Sequence, residues 1–328
     1  MRRARATPVP ALAGLRPLPS GSLMRCRALL AGGLAVLAGT AWPATAPAAG
    51  PTGRDDRHEV VFRLADERIT EASGLAVSRR HEGVVYTHND SDDAPRIYAI
   101  GVDGKTLATL TLARAEARDW EDIAVGEDAA GRPALFVGDI GDNLGGAWRT
   151  ISVYRFTEPP RLASGPVPAT RYRFRYADGA RDAEALLVDP RTNRLYVVSK
   201  QFDAGLYVAP RKLDPGGVNV LRRVGRAPSF VTGGAFAPDG KRFVLRTYGT
   251  AYVFNERRQR VATITLPVQE QGESITYTPD GDALLSGSEG LHSGVVQVPV
   301  GPVPGTSPAS AARSPSPRAP AAEQPQRE

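Results

Sequence analysis

Five times between Ser73 and Glu289 the chain repeats one phrase: a short apolar strand, a turn, and a second short apolar strand. The fullest copy runs Asp119-Trp120-Glu121-Asp122-Ile123-Ala124-Val125, then a turn, then Ala134-Leu135-Phe136-Val137-Gly138-Asp139-Ile140-Gly141-Asp142-Asn143. The other copies begin near Ser73, Glu184, Thr232 and Glu273, 41 to 63 residues apart. Self-similarity at that period predicts a propeller or an array, because each unit must bury its apolar face against a neighbour. No segment carries a long helical apolar period, so the expected fold class is all-β. Asp239-Gly240 and Asp280-Gly281 stand where a tight hairpin turn needs positive φ.

Each of the first four copies is followed by two more strand-like runs. They are Arg96–Ile100 and Leu107–Leu112, Ile151–Phe156 and Tyr172–Tyr176, Gly205–Ala209 and Val218–Val224, and Ala251–Asn255 and Val261–Leu266. The fifth is followed by one, Gly294–Val300, and its missing partner is read as Glu59–Leu64, ahead of the first copy. The expectation is a five-bladed β-propeller of four-stranded blades, closed by the N-terminal strand so that no edge stays open. The alternative is six blades, with a degenerate one inside 144–180.

Three domains are expected: a leader over 1–49, the β-propeller over 50–301, and a Pro/Ala/Ser-rich tail over 302–328. Arg25 and Arg27, an apolar run from Ala28 to Trp42, and small residues at Ala44 to Ala49 have the layout of a secretory signal peptide. The only cysteine, Cys26, precedes that run, which excludes a lipoprotein anchor and leaves the mature chain without thiols. The tail has too little apolar surface to order itself. The formal charge of +6 comes from the ends, since residues 50–300 carry 32 basic and 33 acidic side chains. That balance gives no reason to expect nucleic acid. Secretion, no stable membrane insertion after cleavage, and a monomer are expected.

In a propeller the start of each blade's first strand and the end of its second open on one face. Side chains two apart on a strand point the same way. Carboxylates then converge at one channel mouth, and the expected metal ligands are Glu71, Asp119, Glu121, Asp139, Asp142, Asp182, Glu184 and Glu273. Like charges in one place destabilise the fold unless a cation neutralises them. Oxygen ligands without a thiolate favour Ca2+ over zinc. Glu121 or Glu184 is the candidate general base, with His88 as a further candidate. Lys200, Arg246, Asn89 and Asn143 are the candidate ligand-binding residues. A plainer use of the acids is also open: accepting backbone N–H groups at strand starts, or pairing across blades through Arg118 and Arg181.

Glu71-Ala72-Ser73-Gly74, Asp119-Trp120-Glu121-Asp122-Ile123-Ala124 and Gly138-Asp139-Ile140-Gly141-Asp142-Asn143 resemble a group of secreted bacterial β-propeller proteins common in actinobacteria. The resemblance covers roughly 58–300 and implies a secreted propeller. A looser likeness is to phytase-like and esterase-like propellers, in which a Glu-Gly or Glu-Ala pair opens the inner strand and channel acids bind calcium. Glu184-Ala185 and Glu273-Ser274 stand at that position, while the fourth copy has Thr232 there. Two functions are expected: a ligand-binding or interaction module of the cell envelope or exterior, taking a small molecule or envelope component, or a Ca2+-dependent hydrolase of an ester, lactone or phosphoester.

Overall fold

The computed structural model describes residues 58–301 except Asp92; the expected leader and tail lie outside the described residues. All regular structure among the described residues is β, and none of them forms a helix long and apolar enough to cross a membrane. The strands in chain order are β1 (Glu59–Arg63), β2 (Ala76–Val77), β3 (Val85–Thr87), β4 (Arg96–Ile100), β5 (Thr106–Ala113), β6 (Trp120–Glu127) and β7 (Pro133–Asp139). Then come β8 (Ile151–Thr157), β9 (Gly165–Pro168), β10 (Thr170–Tyr176), β11 (Ala183–Asp189), β12 (Arg194–Ser199), β13 (Gly205–Val208) and β14 (Val218–Arg226). The last seven are β15 (Gly233–Phe236), β16 (Arg242–Arg246), β17 (Thr250–Asn255), β18 (Arg260–Thr265), β19 (Ile275–Tyr277), β20 (Ala283–Ser286) and β21 (Gly294–Pro299).

Four sheets result. One has the order β2-β3-β4-β5-β9, one β15-β16-β17-β18, and one β1-β21-β20-β19. The fourth has eight strands, β11-β12-β13-β14-β10-β8-β7-β6. It consists of two antiparallel runs of four, joined where β10 pairs in parallel with β14. Its edge strands β6 and β11 also pack on each other, so the sheet curls nearly closed. The N-terminal β1 pairs antiparallel with β21, as the strand count required. The stretch 144–180, where a sixth unit was the alternative, has no sheet of its own. It supplies β8 and β10 to the eight-stranded sheet and β9 to the edge of the first.

Burial explains why these sequences become these strands. The inner strand β11 is buried at every residue, whereas β10 alternates exposed and buried positions along Arg171–Tyr176. A strand with neighbours on both faces reads as a continuous apolar run, and one with a solvated face alternates. The strands opening each repeat lie side by side: β2 by β6, β6 by β11, β11 by β15, β15 by β19, and β19 by β2. Five apolar clusters fill the spaces between successive repeats. Trp120 lies in one of them, edge-on to His88 at 5.8 Å, with its indole N–H donating to Glu116 O. Both expected turn glycines have positive φ, 67° at Gly240 and 76° at Gly281.

Candidate metal centre

β6 and β11 begin with the same irregularity. Trp120 pairs with Asp139 and Asp122 with Gly138, so Glu121 is an extra residue on its strand. Ala183 pairs with Ser199 and Ala185 with Val198, which makes Glu184 its counterpart. A bulge leaves one residue unpaired and re-aims its side chain. Here both bulged residues are glutamates, and both are buried.

Ligand oxygens of Asp90, Asp119 and Glu121 lie within 4.8 Å of one another, as do those of Glu121, Asp182 and Glu184. Glu121 belongs to both groups. Gly141 allows this approach, because a Cβ there would collide with Glu121 Oε1 and Asp119 Oδ2. Glu184 Oε1 accepts from Lys200 Nζ at 2.6 Å, and Glu273 Oε1 lies 4.0 Å from the same ammonium. Tyr248 covers that ammonium, 5.6 Å from ring centre to nitrogen.

Burial and mutual repulsion push these carboxyls up. Burial, then Asp119, raises Asp90 to about 8. Glu184 is raised to about 7 by burial, with Lys200 opposing and Glu273 adding. Glu121 is held well above its ordinary range by burial and then by Glu184. Asp119 and Asp182 rise too, chiefly through burial. Burial would lower Lys200, but Glu184 and Glu273 outweigh it and hold the amine above its ordinary value.

Charges packed this tightly need protons or a cation. Glu184 Oε2 and Asp90 Oδ1 are buried and have no hydrogen-bond partner among the described residues, so free lone pairs remain in both groups. Both groups can hold a metal ion. Their donors are all carboxylate oxygens, which suits a hard cation and disfavours one that seeks thiolate or imidazole. No family model matches this chain, and no curated protein matches it. The chemistry of the centre is therefore read from its own residues.

Of the eight acids expected as ligands, Asp119, Glu121, Asp182 and Glu184 come together, and Asp90 joins them. The others do plainer work. Asp139 Oδ1 accepts from Asp119 N at 3.2 Å and lies 3.6 Å from Arg118, while burial raises it to about 6. Asp142 Oδ2 accepts from Trp148 N at 2.8 Å. Glu71 Oε2 accepts from the Ser91 hydroxyl at 2.9 Å. Glu273 accepts from Gln271 Nε2 at 3.3 Å. Neither arginine pairs with the aspartate that follows it, since Arg181 pairs with Asp178 and Arg118 lies under the Trp148 ring.

Two of the expected site residues lie apart from the carboxylate groups. His88 is wholly buried between Gly74 and Trp120, outside both groups, and burial pulls it down to about 4. Arg246 is also wholly buried. Its Nη1 donates to Ser274 O, Gly287 O and Ser286 Oγ at 2.8, 3.0 and 3.1 Å, and its Nη2 to Tyr248 O at 3.2 Å. With those N–H groups engaged, it ties the loops after β16 and β20. Asn89 likewise pins a loop, accepting from Thr70 N and Glu71 N and donating to Arg68 O. Asn143 is exposed and reaches Asp119 Oδ1 at 3.4 Å, so it borders the centre.

Sequence reasoning assigned no role to Asp122. Its Oδ2 accepts from Leu186 N at 2.9 Å and its Oδ1 from Ile123 N at 2.8 Å, which fastens β6 to β11. The signal was a second acid directly after Glu121, leading into the apolar run Ile123-Ala124-Val125. Glu289 is raised to about 10 by burial and by its hydrogen bond with Glu273, and it extends the acidic region beyond Lys200.

Proposed function

We propose that residues 58–301 form a five-bladed β-propeller whose acidic mouth binds a divalent cation, Ca2+ first among them. The bound cation makes the mouth a binding surface, and the protein is a secreted interaction module of the cell envelope or exterior. Five four-stranded antiparallel runs, the side-by-side order of their first strands and the pairing of β1 with β21 support the architecture. The cation reading rests on one observation above all: two equivalent bulged glutamates, one shared by two buried carboxylate groups. Asp90, Asp119, Glu121, Asp182 and Glu184 would hold the ion, and its positive charge would offer a ligand oxygen a fixed partner. Secretion is the expectation carried by the leader.

The test is thermal unfolding of the full chain after chelation, with Ca2+, Mg2+, Mn2+ or Zn2+ added back. A cation that binds only the folded state adds about 2.7 kcal/mol at a hundredfold excess over its dissociation constant. A Ca2+-selective rise in the midpoint is expected. No shift with any ion in metal-free protein would overturn the reading.

A hydrolytic reading is favoured by one feature, the Glu184 carboxyl raised to about 7, the range suited to a general base. A metal there would supply an activated water. It predicts ester, lactone or phosphoester turnover that needs the cation and disappears in Glu184→Gln. Full turnover in that variant would remove Glu184 from any mechanism.

A further inference from the structure

The apolar cluster between β11–β14 and β15–β18 stops short of one end of the strands. A cavity of 260 Å3 opens there, among Leu187, Tyr196, Phe236 and Phe243. It lies at the end of β11 and the starts of β12 and β16, whereas the acidic centre lies at the start of β11 and the end of β12. The two are therefore at opposite ends of the strands. Parallel pairing joins the first repeat to the second, β5 with β9, and the second to the third, β10 with β14; among the described residues none joins the third to the fourth.

The floor is aromatic. The Phe236 ring lies 5.7 Å from Tyr196 and 5.5 Å from Phe243, and Tyr196 and Phe236 are only partly buried. The rim is cationic. Arg191, Arg194, Lys241 and Arg258 face it, against the carboxylates of Asp189 and Glu256. Arg191 takes both of those carboxylates. Among the described residues no carboxylate pairs with the other three. Arg194 is oriented by Ala209 O and Arg258 by Val224 O. Arg242, on the alternate face of β16, turns its guanidinium to Gly281 O and the Tyr277 ring, away from the cleft. A guanidinium held by one carbonyl keeps N–H groups for which an oxyanion is the natural complement.

We infer that this cleft is a second ligand site, for a small aromatic carboxylate. The ring lies on Tyr196, Phe236 and Phe243, and the carboxylate meets Arg194 and Arg258. Planar guanidinium groups match a carboxylate in two parallel hydrogen bonds, and an apolar floor with a few placed polar groups is the usual make-up of a small-molecule pocket. The volume sits just below the range of drug-sized sites, about 300 Å3 and above, which selects a ligand of one or two rings. The site is independent of the cation at the opposite end.

The experiment is calorimetric titration of 2-naphthoate into the full chain, with 2-naphthalenemethanol as the neutral counterpart, in EDTA and in Ca2+. Saturable one-site binding is expected in both buffers, with the alcohol at least about tenfold weaker, the loss of a charge-assisted pair. Arg194→Gln and Arg258→Gln should each weaken naphthoate by about tenfold and leave the alcohol unchanged. Val224→Trp, at a half-buried position lining the cleft, should abolish binding. Circular dichroism melts establish that each variant is folded. No saturation by naphthoate, equal binding of the alcohol, wild-type affinity in a folded arginine or Val224 variant, or loss of binding in EDTA would each overturn the assignment.

Discussion

Lys200 donates its ammonium to Glu184 Oε1 at 2.6 Å, while the other oxygen of Glu184 has no partner. The lysine thus offsets one charge of the acidic centre and competes with a cation for that oxygen. Lys200→Met is expected to do two opposite things. The cation-free protein should lose stability, by no more than the about 3–5 kcal/mol typical of breaking a buried pair, because the amine is partly exposed. The stabilisation by Ca2+ should grow, because Glu184 is released. Urea unfolding with and without Ca2+ measures both, and an unchanged Ca2+ increment would show that Glu184 does not touch the ion.

Glu121→Gln tests the residue shared by both carboxylate groups. Removing one of several crowded charges should leave the cation-free midpoint unchanged or raised. It should also weaken Ca2+ by more than about tenfold, as expected when one charged ligand of a carboxylate site is lost. Calorimetry and the Ca2+-dependent melt read the two effects separately. A variant with wild-type Ca2+ affinity would place the ion elsewhere.

The pH dependence has a definite sign. In the cation-free protein Asp90 ionises at about 8 and Glu184 at about 7. In the unfolded chain carboxyls ionise near about 4, so between those limits the folded state holds more protons. Stability should therefore be full near pH 4 and fall as pH rises, the Asp90 and Glu184 share being lost by about pH 8 and the Glu289 share by about pH 10. Saturating Ca2+ should replace the protons and restore stability at neutral and alkaline pH. Chemical unfolding from pH 4 to 9, in EDTA and in Ca2+, checks this; rising stability in EDTA over that range would contradict the carboxyl shifts.

Arg246 is expected to behave as a core residue. Replacing it by Met leaves the carbonyls of Gly287 and Tyr248 without that donor, while Ser274 O keeps the Gly287 N–H. At about 1–3 kcal/mol for each buried group left unpaired, the loss should be at least about 2 kcal/mol. Ca2+ affinity in whatever protein folds should be unchanged, because Arg246 does not belong to either carboxylate group. A stable variant with altered ligand affinity would return Arg246 to the mouth.

Much of the strand content is legible in the residues. Runs such as Arg96–Ile100 and Ile151–Phe156 are alternating or apolar and end at turn residues, and they become β4 and β8 with ends shifted by no more than one position. β9 escapes notice because Gly165-Pro166-Val167-Pro168 is poor strand material. It pairs only because β5 offers an open edge to it. The opening strand of the first repeat is shorter than its sequence suggests, since only Ala76–Val77 pairs with β3.

The acids divide along the same line. Their position at strand starts is local information, and it placed Asp119, Glu121, Asp182 and Glu184 near one another. Alternation along a strand could not place Glu121 and Glu184 on their bulges, because a bulge depends on the register of the partner strand. Nor could local sequence tell which polar residues end inside. His88 and Arg246 stand at the same kind of strand end as Asp90, yet Trp120 and Gly74 enclose one and a set of backbone carbonyls enclose the other. Apolar periodicity and turn chemistry act over a few residues, and they specify an all-β chain of repeated units with acids at one end of their first strands. Which five carboxylates meet depends on neighbours distant in the chain, and so emerges with the packing of the sheets.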